Sequence, residues 1–456
     1  MNGLFIYHRD FRIIDNKTLL ELNKKCKNIY TCFIFTPEQV TKKNDFKSEN
    51  SIQFMIECLK ELEDDIKINK GKLLIFFGDN QLILQDLIKE LKIDVLACNE
   101  DYSPYAQKRL KMIDSLCKKN KIELMYENDY YLYTPGSIKV KSTNKSYVKF
   151  TPFYNKVIDI PYDKPDKPDK FIKLKLSNNK IKTNYDLNRA TNELITFNKK
   201  ILVSGSRKVA LNILKNIKLH ANYEDKRNKL PLDTTQLSAY IKFGCVSVRE
   251  TAEAFKEIDS LYRQLIWREF YAHILYDYPY TLYGPLKEKY SNVKWSNSKI
   301  HLDSWKDCKT GYPIVDAAMT QLNTTGYMHN RGRLIVACFL IKTLLINWQE
   351  GEKYFATKLT DYDPASNNGN WQWVASTGAD SQPYFRIFNP WKQSKDYDPD
   401  CIYIKKWLPE LTDVDNKHIH KWDENYDSYK NIKYYKPIVD YKTQREKALE
   451  MYKQVI

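Results

Sequence analysis

The sequence predicts an α/β unit followed by a mostly α-helical unit, and three observations carry that prediction. The first third alternates short apolar runs with amphipathic stretches. A Pro-interrupted run of charges follows. Beyond about residue 200 strand signals become rare and long helical periods take over. At 456 residues, against roughly 100 to 200 for an ordinary domain, the chain is long enough for two or three cores.

The runs Leu4 to Tyr7, Ile29 to Phe35, Leu73 to Phe77 and Asp94 to Ala97 read as strands, with helical stretches such as Ser51 to Asn69 between them. That rhythm is the signature of a parallel, Rossmann-like sheet with crossover helices. No GxGxxG follows the first run, so the dinucleotide fingerprint is missing from residues 1–134. Residues 135–195 read as a linker, because periodicity fades there and Asp163-Lys164-Pro165-Asp166-Lys167-Pro168-Asp169-Lys170 is an extended, charged repeat. Residues 196–456 read as the helical unit, with long periods at Ser260 to Tyr276, Pro313 to Leu322 and Asn330 to Ile346.

Seventy-three Lys and Arg against 57 Asp and Glu leave a formal charge of +16, which favours a polyanionic partner such as nucleic acid. Much of the excess is Lys scattered through Lys/Asn/Ile-rich stretches, which fits a solvated surface equally well. The nine cysteines never form CxxC, so neither a zinc site nor a disulfide framework is expected, and no metal is assigned. No apolar run approaches the roughly 20 residues of a bilayer-spanning helix. The N-terminus passes straight from Leu4-Phe5-Ile6-Tyr7 into His8-Arg9-Asp10-Phe11-Arg12, unlike a secretory leader. A soluble, intracellular protein is expected, its compartment open.

Three stretches carry chemistry. In Gln264-Leu265-Ile266-Trp267-Arg268-Glu269-Phe270-Tyr271, helical spacing sets Gln264 and Trp267 on one face with Tyr271 a turn beyond; taken alone, such a stripe is ordinary core packing. In Gly326-Tyr327-Met328-His329-Asn330-Arg331-Gly332-Arg333-Leu334, residues 330 and 334 share a face while Arg331 and Arg333 point to different sides. Two arginines so placed serve two anions, or simply two surface salt bridges. The stretch Asp361-Tyr362-Asp363-Pro364-Ala365-Ser366-Asn367-Asn368-Gly369-Asn370-Trp371-Gln372-Trp373 gathers carboxylates, amides and indoles. That set can satisfy a polar heterocycle, and indoles can stack on bases or carry electrons.

Four blocks, Trp267-Arg268-Glu269-Phe270-Tyr271, Lys309-Thr310-Gly311-Tyr312-Pro313-Ile314-Val315-Asp316-Ala317-Ala318-Met319, Asn367-Asn368-Gly369-Asn370-Trp371-Gln372-Trp373 and Tyr384-Phe385-Arg386-Ile387-Phe388-Asn389-Pro390, resemble, in order, the signature blocks of the photolyase and cryptochrome family, most closely class I cyclobutane pyrimidine dimer photolyases. The resemblance spans almost the whole chain and is strongest from about 223 to 410. It implies an N-terminal α/β antenna domain, a helical domain enclosing folded FAD, and light-driven repair of UV-damaged DNA by a monomer through electron transfer to a flipped-out lesion. By the resemblance, Tyr223 and Thr234-Thr235-Gln236-Leu237-Ser238 hold the FAD phosphates, Asp361, Tyr362 and Asp363 face its ribose and ring edge, Arg333 pairs with Asp361, and Asn367 lies opposite the flavin N5. Trp371, Trp348 and Trp295 match the family's chain of tryptophans for flavin photoreduction. Trp267 and Trp373 are implied as walls of the lesion pocket, Asn330 as a partner of the flipped bases, Arg227, Arg331 and Arg386 as phosphate contacts, and Arg268 and Gln393 as further contacts on the DNA and lesion side.

Two pocket positions depart from the dimer-repair pattern: Gln264 stands where Glu is usual and Leu334 where Met is usual. Gln at the first place also occurs in (6-4) photoproduct enzymes and animal cryptochromes, so both classes remain alternatives. The (6-4) enzymes carry His at the places of Asn330 and Leu334, and neither residue here can act as that acid. Asn99-Glu100-Asp101-Tyr102-Ser103-Pro104-Tyr105-Ala106-Gln107-Lys108-Arg109 does not set an Asn-Glu pair where folate-binding members carry theirs, which leaves a folate, a deazaflavin or no second chromophore open.

Overall fold

The computed structural model describes residues 1–166, 174–178 and 181–456; Lys167 to Lys170 of the charged repeat lie outside that set. Five strands, β1 (Asn2–Ile6), β2 (Asn28–Phe35), β3 (Leu73–Phe77), β4 (Val95–Glu100) and β5 (Glu123–Asn128), form one parallel sheet in the order β3-β2-β1-β4-β5. The crossovers run through α1 (Lys17–Lys25), α2 (Glu49–Ile68), α3 (Asn80–Glu90) and α4 (Pro104–Asn120). Each begins where a short polar side chain, Asn16, Ser48, Asp79 or Ser103, accepts from a first-turn amide, which satisfies a donor the helix itself leaves free. Chain order reverses at β1, so the crevice of the sheet opens at the carboxyl ends of β1 and β4. There the chain presents His8 to Asp10 and Asp101 to Ser103.

The stretch 135–195, expected as a linker, contains regular structure. A hairpin pairs Lys139–Val140 with Lys145–Ser146, and two helices follow, α5 (Phe150–Val157) and α6 (Leu187–Leu194). Spacing explains α5: Phe150, Phe153 and Val157 fall on one face, and all three are buried.

The helical half is built on α7 (Ser238–Lys242), α8 (Asp259–Asp277), α9 (Pro313–Thr325), α10 (Asn330–Lys342), α11 (Trp348–Lys358), α12 (Pro364–Val374) and α13 (Pro390–Tyr397). α8 is buried on nearly all sides, as a central helix must be. The two halves meet through a buried ion cluster. Arg12 pairs with Asp129, and Arg249 reaches Asp15 at 3.0 Å and Asp129 at 2.6 Å, every side chain at most 3% exposed. Among the described residues no helix is long and apolar enough to cross a membrane.

Candidate active site

A cavity of about 330 Å³ opens between α7, α8, α10 and α12, within the roughly 300 to 1,000 Å³ of ordinary ligand clefts. Its floor is apolar, formed by Leu265, Ala337, Phe355 and Trp371. One wall is the stretch Thr234 to Ser238 with Tyr223. The opposite wall starts at Asp361, whose Oδ2 accepts from Ser238 Oγ at 2.6 Å and from Arg333 Nη2 at 2.9 Å. Burial favours the neutral carboxyl, but Arg333, Ser238 and Lys242 outweigh it and hold Asp361 below its usual range.

Two polar atoms here are buried without a partner: Asp361 Oδ1 and Arg268 Nη2. Buried polar atoms are almost always paired, so this pair points to a ligand that offers both a donor and an acceptor. A flavin ring edge and a phosphate chain have that character, and the hydroxyls of Thr234 and Thr235 supply further donors. The residues present therefore fit FAD. Asn367 also lines the cavity; its Nδ2 donates to the Glu352 carbonyl at 3.1 Å, which leaves its oxygen to the cavity. Asp363 is half committed elsewhere: it caps α12 by accepting from Ser366 N at 3.0 Å and stands 3.7 Å from Arg9. Tyr362 lines both this cavity and a second one.

Of the residues implied for the lesion, Gln264, Arg268, Asn330 and Leu334 line the cavity, and Asn330 is exposed at its rim. Arg268 is turned inward rather than toward an open DNA face: it donates to the Tyr130 carbonyl at 2.8 Å and lies 4.2 Å from the Tyr131 ring centre. Trp267 and Trp373 are half-buried and outside the lining. Trp267 is stacked flat on Phe150, ring centres 3.7 Å apart and planes 2° from parallel, and Phe270 and Tyr271 lie against the same indole at 5.6 and 5.7 Å. Arg227 and Arg331 come together near Asn228, which accepts from Arg331 at 2.6 Å. Arg331 lies over Tyr397, and Arg227 pairs with Glu224 at 3.3 Å. Arg386 is exposed; Gln393 is buried in α13 with its Oε1 unpartnered.

Trp371 and Trp348 are buried and Trp295 is half-buried, edge-on to Tyr452 at 6.1 Å. Gly351 explains how Trp371 packs against α11. A Cβ at Gly351 would fall 2.1 Å from the Trp371 ring, and Trp348 lies three residues back on the same face of α11. Ser296, next to Trp295, bridges to Ile346 just before that helix.

Sequence reasoning missed several residues here. Lys242 lines this cavity, a small void of about 80 Å³ and a cavity of about 480 Å³ in the cleft between the halves; burial pushes its pKa down to about 8. Its position four residues after Ser238, on the same face, was the available signal. Tyr327, whose ring lies 5.5 Å from the Arg333 guanidinium, stood inside a motif already singled out. Phe150 carried no signal. His329 is buried, and burial with the neighbouring Arg333 and Arg331 lowers its pKa to about 4, so it is neutral at pH 7. The cleft cavity sits at the carboxyl ends of β1 and β4 and is bounded by Arg9, Asp101, Arg109, Tyr283 and Glu352. Among the described residues no group of three His, Cys, Asp or Glu is placed to hold a metal ion.

Fold and site together define a two-part protein whose helical half holds a polar-walled, apolar-floored cofactor cavity. Residues 4–169 match the family model described as DNA photolyase, and residues 260–454 match the FAD binding domain of DNA photolyase. The deoxyribodipyrimidine photo-lyase of Buchnera aphidicola subsp. Baizongia pistaciae is 34% identical over 99% of this chain and 98% of its own length. Among solved structures, an archaeal photolyase from Sulfolobus tokodaii, described with two FAD molecules, superposes with TM-score 0.88 at 34% identity and full coverage of both chains. A class III photolyase from Agrobacterium tumefaciens gives 0.91 at 29% identity, over 100% of this chain and 97% of that one. The chain belongs to the DNA photolyase and cryptochrome family, and residues 260–454 are its FAD-binding domain.

Proposed function

We propose that this protein is a light-driven DNA repair enzyme that splits cyclobutane pyrimidine dimers, and that it sits with the class I dimer photolyases on the strength of its four motif blocks. The observation that carries the lesion assignment is the cavity mouth. Gln264, Asn330 and Leu334 stand there without an acid among them, and the adjacent His329 is neutral and buried. Dimer splitting needs an electron and a shaped pocket, with no proton donor to the lesion, whereas the (6-4) reaction calls for histidine acids at the places of Asn330 and Leu334.

When bound, FAD supplies the electron from its excited, reduced state. The protein's own part is binding and exclusion of water. Thr234 to Ser238 and Tyr223 hold the phosphates. Asp361 accepts from the flavin ring through its free oxygen, and Arg333 balances that charge. Asn367 offers an amide oxygen and no acidic proton. At the mouth, Gln264 and Asn330 bond the flipped bases, and Trp267 and Trp373 wall the lesion pocket. Arg227, Arg331 and Arg386 take phosphates, which position the duplex without reading its sequence. Trp371, Trp348 and Trp295 carry electrons inward for photoreduction. The cleft cavity accommodates a second, light-harvesting heterocycle. The protein acts as a soluble monomer inside the cell, where its nine free thiols stay reduced.

The test is blue-light repair by the reduced, FAD-loaded protein on two oligonucleotides, one with a cyclobutane dimer and one with a (6-4) lesion, beside a dark control. Restored thymines from the dimer alone are expected. Repair of the (6-4) lesion alone would mean that Gln264 outweighs the missing histidines. No repair of either by a photoreducible flavoprotein would assign it to blue-light signalling.

A further inference from the structure

Around Trp371 the ring contacts also lead away from Trp348. Trp305 meets Trp371 edge-on, with centres 6.3 Å apart and planes at 75°, and on its other side meets Tyr354 edge-on at 5.6 Å and 62°. Trp371 forms part of the cavity wall. Trp305 is fully buried, and its Nε1 donates to the Val336 carbonyl at 3.1 Å. Tyr354 is half-buried at the surface, its hydroxyl donating to Asn323 Oδ1 at 2.7 Å and the Lys306 carbonyl at 3.2 Å. Three oxidisable rings thus run in contact from the cavity to solvent.

We propose that Trp305 and Tyr354 are electron-transfer residues forming a second branch that refills Trp371 and ends on Tyr354. This rests on the reading above that FAD occupies the cavity and that Trp371 is its first donor. Trp371 gives one electron to the photo-excited oxidised flavin. Trp305 returns one to Trp371, and Tyr354 returns one to Trp305. As it does so, Tyr354 releases its phenolic proton to solvent water and becomes a neutral radical, so one electron enters the cavity and one proton leaves the protein.

Local charge supports this order. Trp305 carries a transient positive charge well, because its N–H points at a buried carbonyl and that bond strengthens when the donor is ionised. Tyr354 has Lys306 and Lys358 ammonium groups 5.6 and 5.4 Å from its ring centre, which oppose a second positive charge there. Its oxidation therefore goes with loss of the proton. Burial raises its pKa, so the ground-state phenol keeps that proton until the electron leaves.

The experiment is flash photolysis of the FAD-loaded, oxidised protein, read by transient absorption and time-resolved EPR, with steady-state photoreduction alongside. The parent is expected to show a tyrosyl radical that vanishes in Tyr354→Phe, a half-buried, near-isosteric change. Trp348→Phe should retain part of the photoreduction yield, and Trp348→Phe with Tyr354→Phe should lose it. Trp305→Phe combined with Trp348→Phe should lose it as well, with the melting curve confirming the fold. The branch is overturned if the tyrosyl signal persists in Tyr354→Phe or never appears, or if Trp348→Phe alone is as inert as Trp371→Phe. Undiminished photoreduction in Trp371→Phe would instead overturn the reading of the cavity on which the branch rests.

Discussion

Asp361→Asn keeps the size of the side chain, deletes its charge, and forces the amide to face either Arg333 or the cavity with the wrong group. In the parent, Oδ2 is taken by Ser238 and Arg333 while Oδ1 is buried and free. If the amide nitrogen turns to the cavity, the flavin ring N–H meets a donor; if it turns back, Arg333 does. Either way one charge-assisted hydrogen bond is lost, about 1.5 to 3 kcal/mol, which weakens FAD binding by about 10- to 150-fold. The fold itself loses less than a fully buried pair would, because the Arg333 side chain keeps 27% of its exposure and can draw on water. Equilibrium titration of the apoprotein with FAD, followed by flavin fluorescence and paired with a thermal melt, reads both quantities. A dissociation constant within about twofold of the parent, beyond the reach of even a 1 kcal/mol loss, would refute the assignment of Asp361 to the ring. The pH sign follows from the depressed carboxyl: affinity is steady above the ordinary carboxylate value of about 3.9 and fades only as the pH falls below it.

Gly351→Ala improves helix propensity by about 1 kcal/mol, but its Cβ meets the Trp371 ring at 2.1 Å and Leu340 at 2.6 Å, an overpacking cost of about 1 to 3 kcal/mol. FAD should still bind while photoreduction slows, and a raised melting temperature with unchanged photoreduction would contradict the packing argument. Glu352 is pushed up to about 7 by burial, against a hydrogen bond from Asn368; unfolded, it titrates near about 4.3. The parent therefore loses stability as pH climbs from about 4.3 through about 7, whereas Glu352→Gln does not. The melting-temperature difference, variant minus parent, should grow across that window and level off above it; a flat difference would contradict the raised pKa.

Strands β1 to β4 were legible because a parallel sheet covered on both faces demands continuous apolar runs. β5 was not, because it lies at the edge and its Glu123, Glu127 and Asn128 face water or half-exposed surroundings. The stretch Asp361 to Trp373 was recognisable as a site because its composition makes poor sense as packing, and most of it does line the cavity. Arg268 turned inward for a reason sequence cannot show: the carbonyl that holds it belongs to Tyr130, 138 positions away. The contact Phe150 makes with Trp267 was hidden likewise, since the indole it covers lies on a distant helix. Local pattern reports which face a residue occupies; what lies opposite depends on the whole fold.

The ion cluster at the junction of the two halves bears on modularity. Arg249 belongs to the helical half, yet its carboxylate partners, Asp15 and Asp129, both come from the sheet half. A truncation at the visible boundary would remove both carboxylate partners and uncover the face of the helical half that Arg249 anchors. It would also strip the aromatic cover from Trp267. The flavin-binding half is thus not a portable cassette: it carries the sheet as part of its scaffold.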